Sequence, residues 1–258
     1  MKAYIQEIIK RKDLLFYLVS SGLKAQNRNS YLGYFWWLLD PLLNVFIYYF
    51  LMVVIVGRGG PDFPVYLVIG LVVWRWISST INSSSKAITK YSGIISQVYM
   101  PKSIFPLAFS VTQLFNFLFG LIVIAIFLFA FRVVPTWHIV FLPYIILVQL
   151  LFLIAVSFLV AYITVFVRDI DNVMKHIVRL FFYSSPIIWE GSRLPERFDW
   201  IVAINPVAIV MNAYRDILMY HRMPDIGGLF IVAVMSTLAI LYLIYHYSKN
   251  EHKIIKAL

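Results

Sequence analysis

Six stretches of this chain are long and apolar enough to enter a lipid bilayer, and no other feature restricts its fold so strongly. A spanning helix needs about 20 mostly apolar residues. The runs at 34–56, 65–84, 106–130, 139–167, 173–189 and 227–247 reach or approach that length. The second carries Arg75, and the fifth is short, with Lys175 and Arg179 near its start. Composition supports a lipid setting: 62% of the 258 residues are hydrophobic and 13% charged, whereas soluble domains run near 45–50% apolar and about 25% charged. A soluble core of this size has too little interior to hide the excess. The predicted fold class is therefore an all-α integral membrane protein with six transmembrane helices.

The net charge of +10 would suggest nucleic acid in a soluble protein,. Here it reports topology. If the N-terminus is cytoplasmic and the sides alternate, the cytoplasmic pieces are 1–33, 85–105, 168–179 and 248–258. They hold 15 of the 22 Lys and Arg, including every lysine, against five acids. The outer pieces balance six arginines with six acids, and Asp40 and Arg75 remain inside the membrane. The positive-inside bias thus places both ends in the cytoplasm. No nucleic-acid partner is expected.

Two segments need a different description. In 1–20, Ile5, Ile8, Ile9, Leu15, Phe16 and Val19 recur at helical spacing,. This predicts an amphipathic helix on the cytoplasmic leaflet and, with Glu7, Lys10, Arg11, Lys12 and Asp13 breaking the apolar run, no signal peptide. In 190–226 the apolar run is broken by Pro206 and contains Arg215-Asp216. A seventh span there would put Lys249, Lys253 and Lys256 outside. Short re-entrant helices on the outer face fit better, since such backbone is tolerated where it packs on protein or lines a wet cavity.

Catalytic signatures are missing. No GxxxxGK[ST] occurs, so this chain cannot cradle ATP in a P-loop,. The five histidines are scattered, with no HExxH, and no GxSxG elbow exists,. With no cysteine, thiolate metal sites and disulfides are excluded,. No catalytic residue, metal site or cofactor is expected in this chain, and any pumping must draw energy from a partner or an ion gradient. An ion-coupled transporter is the alternative, weakened by the lack of a visible internal repeat. A membrane-embedded enzyme is weakened by the lack of a paired acid and base.

Three motif groups occur in order: Leu32-Gly33, Trp36-Trp37 and Asp40-Pro41 at the start of the first span; Tyr99-Met-Pro-Lys-Ser-Ile-Phe-Pro106 after the second; and Arg168-Asp169, Ser184-Ser185-Pro186, Asn205-Pro206 and Arg215 around and beyond the fifth. Together they resemble the permease subunit of ABC-2 class exporters, in the branch that exports lipid-linked polysaccharides and teichoic acids. The resemblance covers nearly the whole chain, as one permease domain over 1–258. Asp40 before Pro41 departs from the family pattern. The resemblance implies a homodimer of this chain joined to two copies of a separate ATP-binding subunit that holds ATP and Mg. It also implies export of an undecaprenyl-diphosphate-linked polymer, teichoic acid first, else O-antigen or capsule, across the bacterial cytoplasmic membrane.

Intramembrane charges are costly and usually face a bundle interior or cavity. Asp40 and Arg75 lie about 9 and 15 Å deep at 1.5 Å per residue, an offset that a long arginine can bridge. Trp37, Asp40, Asn44 and Tyr48 share one helix face,, so with Arg75 they are candidates for a sugar pathway, or else for plain helix packing. In the loop 86–105, Ile94, Ile95, Val98 and Tyr99 form an apolar cluster beside Lys90, Pro101 and Lys102. An apolar knob on a cytoplasmic loop suits insertion into a partner groove, and the resemblance places its ATPase-coupling element there; Arg168-Asp169 is a second candidate contact. Pro186 after Ser185 should bend the fifth span, making Ser185, Pro186, Asn205 and Pro206 candidates for gating.

Overall fold

The computed structural model describes residues 2–26, 31–57, 59–95, 99–190, 197 and 199–258. Among the described residues all regular secondary structure is helical. Helices α1 (Lys2–Lys10) and α2 (Lys12–Gln26) precede α3 (Trp36–Tyr49), which continues as a π-helix, Phe50–Ile55. Then come α4 (Phe63–Ser84), the short α5 (Ser92–Ile95), α6 (Ile104–Ala130) and α7 (Leu142–Phe166), which is preceded by a 3-10 turn. The chain ends with α8 (Ile170–Ser184), α9 (Asp199–Ile204), α10 (Pro206–Leu218) and α11 (Ile226–Ala257).

Five of these are long and apolar enough to cross a membrane: Trp36–Ile55, Phe63–Ser84, Ile104–Ala130, Trp137–Phe166 and Ile226–Ala257. The expected fifth span, 173–189, does not appear as a helix of that kind. It is met by α8, 15 residues long and ending at Ser184, because Ser185 leaves helical backbone ahead of Pro186. Yet the segment covers the full height of α4. At one end the Ser85 hydroxyl donates to Asp171 at 2.6 Å. At the other the Tyr66 hydroxyl donates to the carbonyl of Trp189 at 2.5 Å. Tyr66 and Ser85 stand about 28 Å apart along the helix axis.

Helix α4 is the centre of the molecule. It carries an arginine and has the lowest hydropathy of the five, yet 78% of its apolar window is buried, against 28% for the most apolar helix, Trp137–Phe166. Lipid is as apolar as leucine, so the outer helices need the apolar surface while the inner one can spend positions on packing and polar contacts. At the α4–α6 contact a Cβ on Gly120 would stand 2.6 Å from a Val72 methyl, so only glycine allows that approach.

The N-terminal segment differs from the expectation. It is two helices broken at Arg11, and part of its apolar face packs on protein: Tyr4, Leu18 and Val19 are buried with Phe105, Ala108, Tyr247 and Ile254. Ile9, Phe16 and Tyr17 remain exposed. Helix α10 is buried almost throughout, from Val207 to Leu218. It packs against α4 and α7, with the Tyr214 hydroxyl donating to Gln149 at 2.8 Å.

Candidate functional site

The two intramembrane charges meet. Arg75 Nη2 donates to Asp40 Oδ2 at 2.7 Å, joining α4 to α3. The side chains keep 37% and 41% of their surface exposed in the single chain. Beside them a small, largely apolar pocket between α3, α4 and α6 has Arg75, Ser79, Gln113 and Asn116 among its lining residues, next to Trp37, Trp76 and Phe117. Asn116 donates to Gln113 at 2.9 Å, and Gln113 donates to Ser83 at 3.4 Å. Ser79, Ser83, Gln113 and Asn116 were missed in the sequence reading, although the polar residues recur three or four apart in otherwise apolar helices, which puts them on one face.

The aromatic stripe on α3 is divided. Trp37 packs on Phe119 with ring centres 4.5 Å apart, and Tyr48 on Phe182 at 5.6 Å. Asn44 is exposed, and its amide donates to the Asp40 carbonyl at 2.8 Å. Two of the four residues are thus used at least in part for packing within the chain.

Between α8 and α10 the four candidate gating residues come together. Asn205 donates to Ser185 at 2.8 Å, and its side-chain oxygen accepts from the backbone of Val207, capping α10 at Pro206. Pro206 suits this first helical position because its missing N–H has no helical partner there. Arg215, 1% exposed, donates to the carbonyls of Pro186, Ile187 and Tyr66, and its guanidinium stacks 3.5 Å over the Tyr66 ring. A Cβ on Gly70 would lie 2.6 Å from Arg215 Nη2 and 2.7 Å from the Ile187 carbonyl oxygen. Glycine at 70 leaves room for the arginine. Arg215 thus ties α10 to α4 and to the turn after α8.

Around the connection between α4 and α6 the structure sorts the expected coupling residues. Ile94 and Tyr99 are 52% and 57% exposed, and Lys90 is exposed near the Phe109 ring. Ile95, Pro101 and Lys102 are buried within the chain. Lys102, fully buried, pairs with Glu251 at 3.1 Å, and Glu251 also accepts from Tyr99 at 3.0 Å. A lysine this deep needs its carboxylate. The Tyr4 hydroxyl joins the same knot through Ser103, and burial pushes its pKa up. Val98 lies outside the described residues. Arg168 and Asp169 are exposed, and Asp169 precedes α8 without a side-chain cap bond. The carboxyl of Asp171 is held below its usual range by the Ser85 hydroxyl, then by Lys86 and Lys175.

Compared with known sequences, the model of the ABC-2 type transporter family matches residues 13–219. The chain belongs to the ABC-2 type transporter family. Its relatives include two proteins named O-antigen export system permease protein RfbA. The one from Myxococcus xanthus is 31% identical over 234 residues, 90% of each chain. One from Klebsiella pneumoniae is 32% identical over 208 residues, 80% of each chain. The motif resemblance to an ABC-2 exporter permease is borne out. As an ABC-2 family member the chain is a multi-pass membrane protein of the transport-subunit type.

Proposed function

We propose that this chain is the membrane half of an ATP-driven exporter of a lipid-linked O-antigen-type polysaccharide. The observation that carries the reading is similarity to O-antigen export permeases over 80–90% of both chains. It moves O-antigen ahead of teichoic acid as the first choice of polymer. Because the chain has no phosphate-cradling loop,, ATP and Mg belong to a separate subunit, two copies joining a homodimer of this chain. The chain forms a single permease domain over 1–258. Segment 173–189 is its sixth crossing, since with Asp171 just ahead of it the segment runs the height of α4. Helices α9 and α10 then re-enter from the outer face, α1 and α2 lie at the cytoplasmic leaflet, and both ends are cytoplasmic.

In this reading Asp40 and Arg75 face a wet path or the second copy, because a charge pair left one-third open to lipid is expensive. Arg75, Ser79, Asn44 and Asn116 offer amides, hydroxyls and a guanidinium to sugar hydroxyls, next to the rings of Trp37 and Tyr48. Ile94 and Tyr99, with Lys90 and Arg168, meet the ATP-binding subunit. Ser185, Pro186, Asn205 and Pro206 move as one joint when the outer end opens. The test is reconstitution of the purified chain in proteoliposomes with lipid-linked polymer. Transport should require both the ATP-binding subunit and ATP, and the chain alone should hydrolyse none. Transport driven by a proton or sodium gradient without that subunit would overturn the reading.

A further inference from the structure

An apolar groove of about 740 Å³ runs along the end of α6 that leads into the α6–α7 connection. Leu121, Ala125 and Leu128 of α6, Leu142 of α7 and Leu218 of α10 line it, and Arg132 stands at its rim. The size lies within the range of ligand sites, about 300–1,000 Å³, and a largely apolar wall with one charged group is their usual make-up.

Arg132 is unusual in two ways. It sits at φ +57°, in the left-handed region, where the Val133 backbone N–H closes on the Leu128 carbonyl at 2.9 Å to end the helix. Glycine is the common residue there, because other side chains are strained. A cation is thus held at a position whose backbone disfavours it. It also meets no acid among the described residues. Among the described arginines of the outer pieces, Arg215 is buried, Arg222 pairs with Asp216 at 2.7 Å and Arg197 has its own interaction. Arg132 is exposed and makes no ion pair among the described residues.

We infer that this groove binds an anionic phospholipid of the surrounding bilayer, with the phosphate on Arg132 and an acyl chain running down to Leu218. The charge at the rim complements a lipid phosphate, and the wall below complements hydrocarbon. Because Leu218 ends α10, the bound chain touches the helix that Arg215 ties to α4 and to the turn after α8. The inference needs only that these helices lie in a membrane, and its test is independent of what is exported.

The full chain is placed in nanodiscs of equimolar phosphatidylglycerol and phosphatidylethanolamine, and the lipids retained on release are counted by native mass spectrometry. Phosphatidylglycerol should be retained by about fivefold over phosphatidylethanolamine, the worth of one cation near a charged headgroup. Arg132→Gly, which removes the charge and relaxes the backbone, should bring the ratio to about one; so should Arg132→Gln. Ala125→Trp should lower retention of both lipids by filling the groove, while Arg222→Gln should leave the ratio as it is. An unchanged preference in both Arg132 variants, or undiminished retention in Ala125→Trp, would overturn the site. Displacement of phosphatidylglycerol by an equal fraction of a polyprenyl phosphate would overturn the phospholipid as its occupant.

Discussion

At the scale of single residues, the decisive feature is that the two intramembrane charges meet. Asp40 meets Arg75 at 2.7 Å across two helices that sequence order alone does not bring face to face. A charge at mid-membrane costs about 2.5–3.5 kcal/mol when unmatched. Asp40→Ala and Arg75→Ala should therefore each lower the amount of folded chain by about tenfold or more, while the double substitution recovers most of it. Fluorescence-detected size exclusion of the three variants reads this directly. Additive losses would mean that the two charges act separately. Depths along two predicted spans already made the pair readable. Arg215 was readable only as a motif residue. Its stacking on Tyr66 above Gly70 depends on α10 folding back beside α4, for which no local pattern codes.

At the scale of elements, the loop 86–105 divides into a buried half and an open half. Lys102 lies in the buried half with Glu251, at the helical end that follows the kink at Asn250. Removing one partner of a buried ion pair costs about 3–5 kcal/mol. Lys102→Met should lower thermal stability and expose the end of α11 to protease, and Lys102→Met with Glu251→Leu should restore both. Ile94→Asp should leave stability unchanged but weaken co-purification of the ATP-binding subunit by about thirtyfold, as for an interface hot spot of about 2 kcal/mol. If Ile94→Asp destabilises the chain and spares the complex, this loop is an internal brace instead. The sequence marks the loop as apolar and basic, but both halves have that composition; only the packing of α1 and α11 against it separates them.

At the scale of the whole molecule, the proposed topology puts both ends on one side, and the five full-length helices among the described residues would not do that alone. The segment 173–189, too short as a helix to be counted by length, supplies the missing crossing in our reading. Because the chain has no native cysteine, single cysteines report cleanly. Asn172→Cys and Lys249→Cys should label only from the cytoplasmic side and Met223→Cys only from outside. Labelling of position 223 from the cytoplasmic side would remove the sixth crossing, and with it the placement of α9 and α10.

What the sequence determined by itself was the solvent, the helical class, the family and most of the lengths. Each follows from local quantities: an apolar run of given length, a lysine bias between loops, a motif in order. The positions of Asp40, Arg75, Asn205 and Pro206 as special residues were legible because charge, amide and proline stand out against apolar background. The tertiary structure decided which helix is central, which loop residues are hidden and which polar groups pair. Those outcomes depend on distant segments. Helix α4 is interior only because α3, α6, α7, α8 and α10 cover it, and Lys102 is buried only because Glu251, 149 residues later, comes back to meet it. Hydropathy measures a segment's affinity for lipid, and it cannot say whether lipid or another helix will satisfy that affinity.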